Sequence, residues 1–115
     1  MPRRKSPHPL AAAVGRRIRQ LREEAGLTIE KLAFESEVRS KGHLSSIEKG
    51  LVMPTVATLS SLAERLGVLV ADLVINPDAD DRQKLIDLSR SLPSGTVRKL
   101  NREIKHSPRT KLRKR

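Results

Sequence analysis

Apolar side chains recur along this chain at steps of three and four, and the recurrence predicts seven helices and no strand. Val14, Ile18, Leu21 and Ala25 form one stripe, so a first helix is expected over residues 10–25, ended by Gly26. Thr28 is placed to cap a second helix, whose buried side is Ile29, Leu32 and Ala33. A third helix is expected to start at Ser40, another capping type, and to stop at Gly50, with Leu44 and Ile47 turned inward. Pro54 and Thr55 introduce a fourth, with Val56, Leu59, Leu62, Ala63 and Leu66 as its stripe and Gly67 as its end. A short fifth helix covers residues 70–75 before Asn76-Pro77 breaks it. Asp80 or Asp81 caps a sixth, with Leu85, Ile86, Leu88 and Leu92 apolar. After the turn Pro93-Ser94-Gly95, a seventh runs over residues 96–105 on Val97, Leu100 and Ile104, and Pro108 ends it.

The expected architecture is all-α. A five-helix unit occupies residues 10–76 and a helical hairpin residues 77–106, between a basic, proline-broken arm (1–9) and a basic tail (107–115). The length, 115 residues, suits one domain. Phe34 is the only aromatic residue, so the core must be built from Leu, Ile, Val and Ala. That scarcity also argues against single-stranded nucleic acid, whose bases usually stack on aromatic rings. The absence of cysteine excludes disulfides, thiolate metal sites and cysteine nucleophiles. The longest apolar run, residues 68–75, is interrupted by Asp72 and is far too short to span a bilayer. No long apolar stretch follows the basic N-terminus, so a secretory signal is not expected. The expectation is a cytoplasmic protein associated with the nucleoid and not with a membrane.

Charge refines this picture through its distribution. The net charge of +11 divides into +7 over residues 1–22, −3 over 23–76, −1 over 77–97 and +8 over 98–115. Basic ends attract polyanions without regard to sequence. The centre, where the two short helices meet at residues 26–54, is mildly acidic. Two short helices joined by a tight turn form a helix-turn-helix, whose second helix lies in the DNA major groove.

The ordered motifs strengthen that reading. They are Gly15-Arg16-Arg17-Ile18-Arg19-Gln20-Leu21-Arg22, then Gly26-Leu27-Thr28 with Leu32-Ala33, then Leu44-Ser45-Ser46-Ile47-Glu48-Lys49-Gly50. Pro54-Thr55 with Thr58-Leu59, and Leu66-Gly67-Val68, complete the set. Over residues 14–73, about half the chain, the sequence resembles the lambda-repressor-like (phage-repressor, Xre-type) helix-turn-helix family of small five-helix DNA-binding domains. The resemblance implies base reading from the N-terminal turns of the third helix, here Ser40, Lys41, Gly42 and Ser46. Lys41 has the donors for guanine O6 and N7, and Gly42 lets the backbone approach closely. His43 and Lys49 are expected on phosphate, as are Arg17, Thr28, Thr55 and the arm residues Arg3, Arg4 and Lys5. The alternative for each is an exposed polar residue with no ligand. Glu48 and Arg22 are assigned to the fold, because the family pairs these positions across the third and first helices.

Two departures from the family pattern stand out. Ile29 follows Thr28 where many members place a glutamine that bonds phosphate. The joint is one residue longer than the commonest spacing, with 12 positions from Leu32 to Leu44, and lacks the usual turn glycine. Ser36-Glu37-Val38-Arg39 fills it, with Val38 expected to plug the core. This leaves the start of the third helix open by one position, and leaves Arg39 either facing DNA or simply solvated.

No catalytic arrangement is visible. The histidines, His8, His43 and His106, are far apart and show no metal spacing. The serine pairs at 45–46 and 60–61 lack a nearby base, and no glycine loop cradles a phosphate. Neither metal nor cofactor is expected. The leading expectation is a non-enzymatic transcriptional regulator, a repressor acting as a homodimer on an inverted-repeat operator. Surplus apolar residues late in the chain motivate the pairing. The competing expectation is an antitoxin or adaptor whose C-terminal helices bind a protein partner. Coating of nucleic acid without specificity is a third, disfavoured by the acidic centre.

Overall fold

Side-chain caps fix where most of the helices begin. The side-chain oxygens of Thr28, Ser40, Thr55 and Asp80 accept from the backbone N–H of Lys31 (3.1 Å), His43 (3.2 Å), Thr58 (3.1 Å) and Gln83 (2.8 Å). In the computed structural model, which describes residues 6–108, these caps open α2 (Ile29–Glu35), α3 (Lys41–Glu48), α4 (Val56–Leu66) and α6 (Asp81–Ser89). The remaining helices are α1 (Pro9–Glu24), α5 (Val70–Val74) and α7 (Ser94–His106). No strand occurs among the described residues.

α1 starts one residue earlier than the apolar stripe indicates. His8 caps it, its Nδ1 accepting from Leu10 N at 3.2 Å, and Pro9 fits the first helical position because its missing N–H has no helical partner to lose. The His8 N–H also donates to Gly50 O at 3.3 Å. The expected arm therefore ends at a fixed root beside the end of α3. Arg3, Arg4, Lys5 and residues 109–115 of the tail lie outside the described residues.

Leu and Ile from α1 to α5 fill the core, and Ile18, Leu32, Leu44, Ile47, Leu62 and Leu73 are fully enclosed. Val38 packs against this cluster from the joint, as its place in the turn suggests. Val56 departs from its expected place and is exposed, because it is the first residue of α4 and lies beyond the packing that covers Leu59 and Leu62.

Two glycines bring α1 against the end of α3. A Cβ on Gly15 would overlap the carbonyl oxygen of Ile47 and lie 2.5 Å from that of Glu48. Gly50 follows α3 at φ 77°, a conformation glycine adopts without strain, and a Cβ there would lie 2.6 Å from Ala12 Cα. α3 is thus seated on α1 at backbone distance.

The C-terminal pair is helical as expected, yet neither α6 nor α7 contains a buried residue. Leu85, Leu88, Leu92, Leu100 and Ile104 stay exposed, joined by Leu69 and Val74 of the preceding segment. α6 is tied to the rest of the fold by charge. Asp87 Oδ1 accepts from an Arg17 guanidinium nitrogen at 2.6 Å and from Arg90 Nε at 3.0 Å.

Candidate DNA-reading surface

The joint between α2 and α3 is built without glycine. Ser36 Oγ donates to Ala33 O (3.3 Å) and accepts from Val38 N (3.3 Å), turning the chain within two residues. Ser61 on α4 accepts from Glu37 N at 2.8 Å and pins the turn from outside. Arg39 then takes φ 57°, the left-handed conformation usually left to glycine, and its N–H donates to Ala33 O at 2.7 Å. Ser40 caps α3 directly after it, so α3 begins at Lys41 and the extra residue is absorbed before the helix.

This arrangement sets Lys41, Gly42 and His43 on the exposed first turn of α3, with the Ser40 cap exposed beside them. Lys49 is exposed at the far end, and Thr28 and Thr55 are exposed at the starts of α2 and α4. The two threonine oxygens accept the capping bonds; Thr28 also hydrogen-bonds the Glu30 carboxylate, and Thr55 Oγ1 lies 3.0 Å from Thr58 Oγ1. α4 adds first-turn backbone N–H groups, which have no partner within the helix and favour an anion.

A part-buried ion pair between α1 and α3 holds the orientation of α3. Arg22 donates from Nε to one Glu48 oxygen (2.7 Å) and from a terminal nitrogen to the other (3.0 Å), while its third contact is Leu27 O at 2.9 Å. The hydrogen bond to Glu48 raises the Arg22 pKa above its ordinary value, against the opposing effect of burial. This geometry makes both residues part of the frame, in keeping with their assignment to the fold. Ile29, where a phosphate-binding glutamine is usual, is half-buried against the core.

Two of the expected DNA contacts are corrected. Arg17, expected on phosphate, is 4% exposed. Its guanidinium donates to Asp72 O (2.7 Å), Gln20 Oε1 (3.1 Å) and Asp87 Oδ1 (2.6 Å), so each of its three nitrogens is engaged inside the protein, linking α1 to α5 and α6. Ser46, expected to read a base, is 7% exposed, because its position on α3 turns toward the packed side with Ile47. A short side chain covered to that degree reaches no base edge.

One neighbour of the site had no signal in the sequence. Glu30, on the first turn of α2, accepts from Lys41 Nζ at 2.7 Å, and both side chains are more than half exposed. That hydrogen bond is the first cause holding the Glu30 carboxyl below the usual carboxylate range.

Residues 13–74 match the family model described as "Helix-turn-helix domain". The chain belongs to the lambda-repressor-like helix-turn-helix family, a family of DNA-binding proteins. It is 45% identical over 65 residues to the uncharacterized HTH-type transcriptional regulator y4dJ of Sinorhizobium fredii, covering 56% of this chain and 83% of that protein. It is 40% identical over 58 residues to the HTH-type transcriptional regulator DdrOP3 of Deinococcus deserti, covering 50% of this chain and 44% of that protein. The match thus spans less than half the length of DdrOP3. Among solved structures, the clp gene regulator ClgR of Corynebacterium glutamicum is similar at TM-score 0.56 and 33% identity, over 72% of this chain and 89% of that one. A chain of the SinR protein/SinI protein complex is similar at TM-score 0.58 and 28% identity, over 80% of this chain and 94% of that one. Among the described residues, no helix is long and apolar enough to cross a membrane.

Proposed function

We propose that this chain is a transcriptional regulator that reads a specific duplex operator with the first turn of α3 and represses as a homodimer on an inverted repeat. The observation that carries the reading is the exposed Lys41-Gly42-His43 turn, mounted on a frame fixed by Arg22–Glu48 and by the close seat on α1. Lys41 takes guanine O6 and N7, Gly42 and the Ser40 cap allow close approach, and His43, Lys49, Thr28 and Thr55 meet phosphate. The N-terminal basic residues Arg3, Arg4 and Lys5 add sequence-independent attraction. The names of the relatives y4dJ, DdrOP3 and ClgR support a regulatory role.

Pairing rests on the unburied apolar faces of α6 and α7, since one such domain reads only a few base pairs and two-fold pairing doubles the site. The test is selection of bound duplexes from a random pool with the full chain, joined to sedimentation of the protein alone and on the selected DNA. An inverted repeat and a dimer on DNA are the expected results. A monomer on DNA, or a pool without an enriched site, would refute the corresponding half of the proposal. A heterologous partner on the same helices is the second reading, favoured by the basic face of α7 (Arg98, Lys99, Arg102 and Lys105) and by the two-protein complex that supplies one structural neighbour.

A further inference from the structure

The Glu30–Lys41 pair bears on how such a reading surface would separate its site from other DNA. Lys41 leads α3 and Glu30 lies in the first turn of α2, so the pair bridges the two helices of the reading unit. Both side chains are about 60% exposed, and nothing buries the bond between them. Exposed pairs contribute little to stability, so folding gives a weak reason for this one.

We infer that Glu30 is a specificity-determining residue: its carboxylate restrains the Lys41 ammonium so that Lys41 engages guanine in preference to phosphate. This inference rests on the proposed role of Lys41. An ammonium has three N–H donors. Glu30 takes one, which leaves two for the O6 and N7 acceptors of a guanine in the major groove. A phosphate offers Lys41 charge and acceptor oxygens, and Glu30 already supplies both at 2.7 Å. The pair is close to neutral as a unit, so it adds little to binding on arbitrary DNA.

Replacing Glu30 with Gln keeps the size and removes the charge. Lys41 is then free to settle on phosphate. Binding to a scrambled duplex should strengthen by roughly threefold, the scale of one exposed charge contact. Its salt slope should steepen by about 0.9, the value of one more phosphate neutralised. Affinity for the selected site should change less, so the ratio of specific to scrambled binding falls. In a Lys41→Ala background, Glu30→Gln should leave that ratio unchanged, because there is no ammonium to direct. Glu23→Gln serves as the charge control: Glu23 pairs with Arg19 on the surface of α1, 2.7 Å apart, and its loss should not change the ratio.

The experiment measures dissociation constants of the full-length parent, Glu30→Gln, Glu23→Gln, Lys41→Ala and the Glu30→Gln/Lys41→Ala double variant. The probes are the duplex selected from the random pool and a scrambled duplex, each at two or more salt concentrations. A ratio lowered by Glu30→Gln only while Lys41 is present supports the inference. An enriched, Lys41-dependent site whose ratio is the same in Glu30→Gln overturns the inference and leaves the proposed function standing. A lower ratio that persists in the double variant shows a general charge effect and also overturns it. A pool with no enriched site overturns both.

Discussion

Replacing Gly15 with alanine adds one methyl group where α1 and the end of α3 nearly touch. The new Cβ would lie 2.5 Å from Glu48 O and closer still to Ile47 O. Ordinary contact begins near 3.4 Å, so the helices must separate by about 1 Å or tilt. Both neighbours are backbone carbonyls inside a helix, and neither can rotate away as a flexible side chain would. Overpacking of this kind costs about 1–3 kcal/mol, and the rigidity of both partners places this case at the upper end. Alanine recovers up to about 1 kcal/mol through its better helix propensity. The net loss is therefore about 2 kcal/mol, roughly 10 °C in melting temperature for a domain of this size. The displaced segment carries Glu48, so the Arg22 pair and the seat of α3 shift with it, and affinity for the selected duplex should fall by about tenfold or more. Thermal unfolding followed by circular dichroism, with a DNA titration, measures both effects. Gly95→Ala is the control: it lies in α7 with nothing within 4 Å of its added Cβ, and should stabilise slightly. A Gly15→Ala protein as stable as the parent, with the same affinity, would refute the claim that α3 is seated on α1 at backbone contact.

Further consequences follow from the charged contacts and the joint. Asp87→Asn leaves the buried Arg17 without its carboxylate and should destabilise by roughly 2–3 kcal/mol, less than a fully buried pair because Asp72 O and Gln20 remain as acceptors. Hydrogen bonding from Arg17, opposed by burial and reinforced by Arg90, holds the Asp87 carboxyl below the usual range. A depressed native value means that stability is fully present above the unfolded carboxyl pKa of about 3.9 and is lost as pH falls through the lower native value. Urea midpoints of parent and Asp87→Asn should therefore converge as the pH drops below about 4; a gap that persists at low pH would contradict this. Arg39→Gly relieves the left-handed strain at φ 57°, partly offset by unfolded-state entropy, and should raise the urea midpoint by the equivalent of roughly 0.5–1 kcal/mol; a lower midpoint would argue against strain at that residue.

The helices were legible because their ends carry local chemistry. Thr28, Ser40, Thr55 and Asp80 each satisfy a backbone N–H three residues on, so a capping residue before an apolar stripe was enough to place them. The Arg22–Glu48 pair was legible only through the family pattern. Ser46 lies on the packed side of α3 beside Ile47, and Arg17 was misplaced because its partners are remote. A polar residue on an amphipathic helix gives no local sign of a partner far along the chain, and the partners of Arg17 lie 55 and 70 positions away. The Glu30–Lys41 contact was hidden in the same way, because it depends on how the longer joint delivers α3 beside α2. The added residue is absorbed by Arg39 in a conformation that its identity does not advertise. The C-terminal helices were legible as helices, yet the pattern could not tell which apolar faces would remain open.

The first turn of α3 is proposed to read bases. The most direct measurement is the affinity of the full chain and of Lys41→Ala for the selected duplex, for variants of it changed one base pair at a time, and for scrambled DNA, all near 0.15 M salt. The expected specific-to-scrambled ratio is about a thousandfold or more for the parent. Lys41→Ala should lose about 1–3 kcal/mol, and only at sites bearing one particular G·C pair. Equal affinity for selected and scrambled duplexes, or a Lys41→Ala loss spread evenly over every sequence, would contradict it.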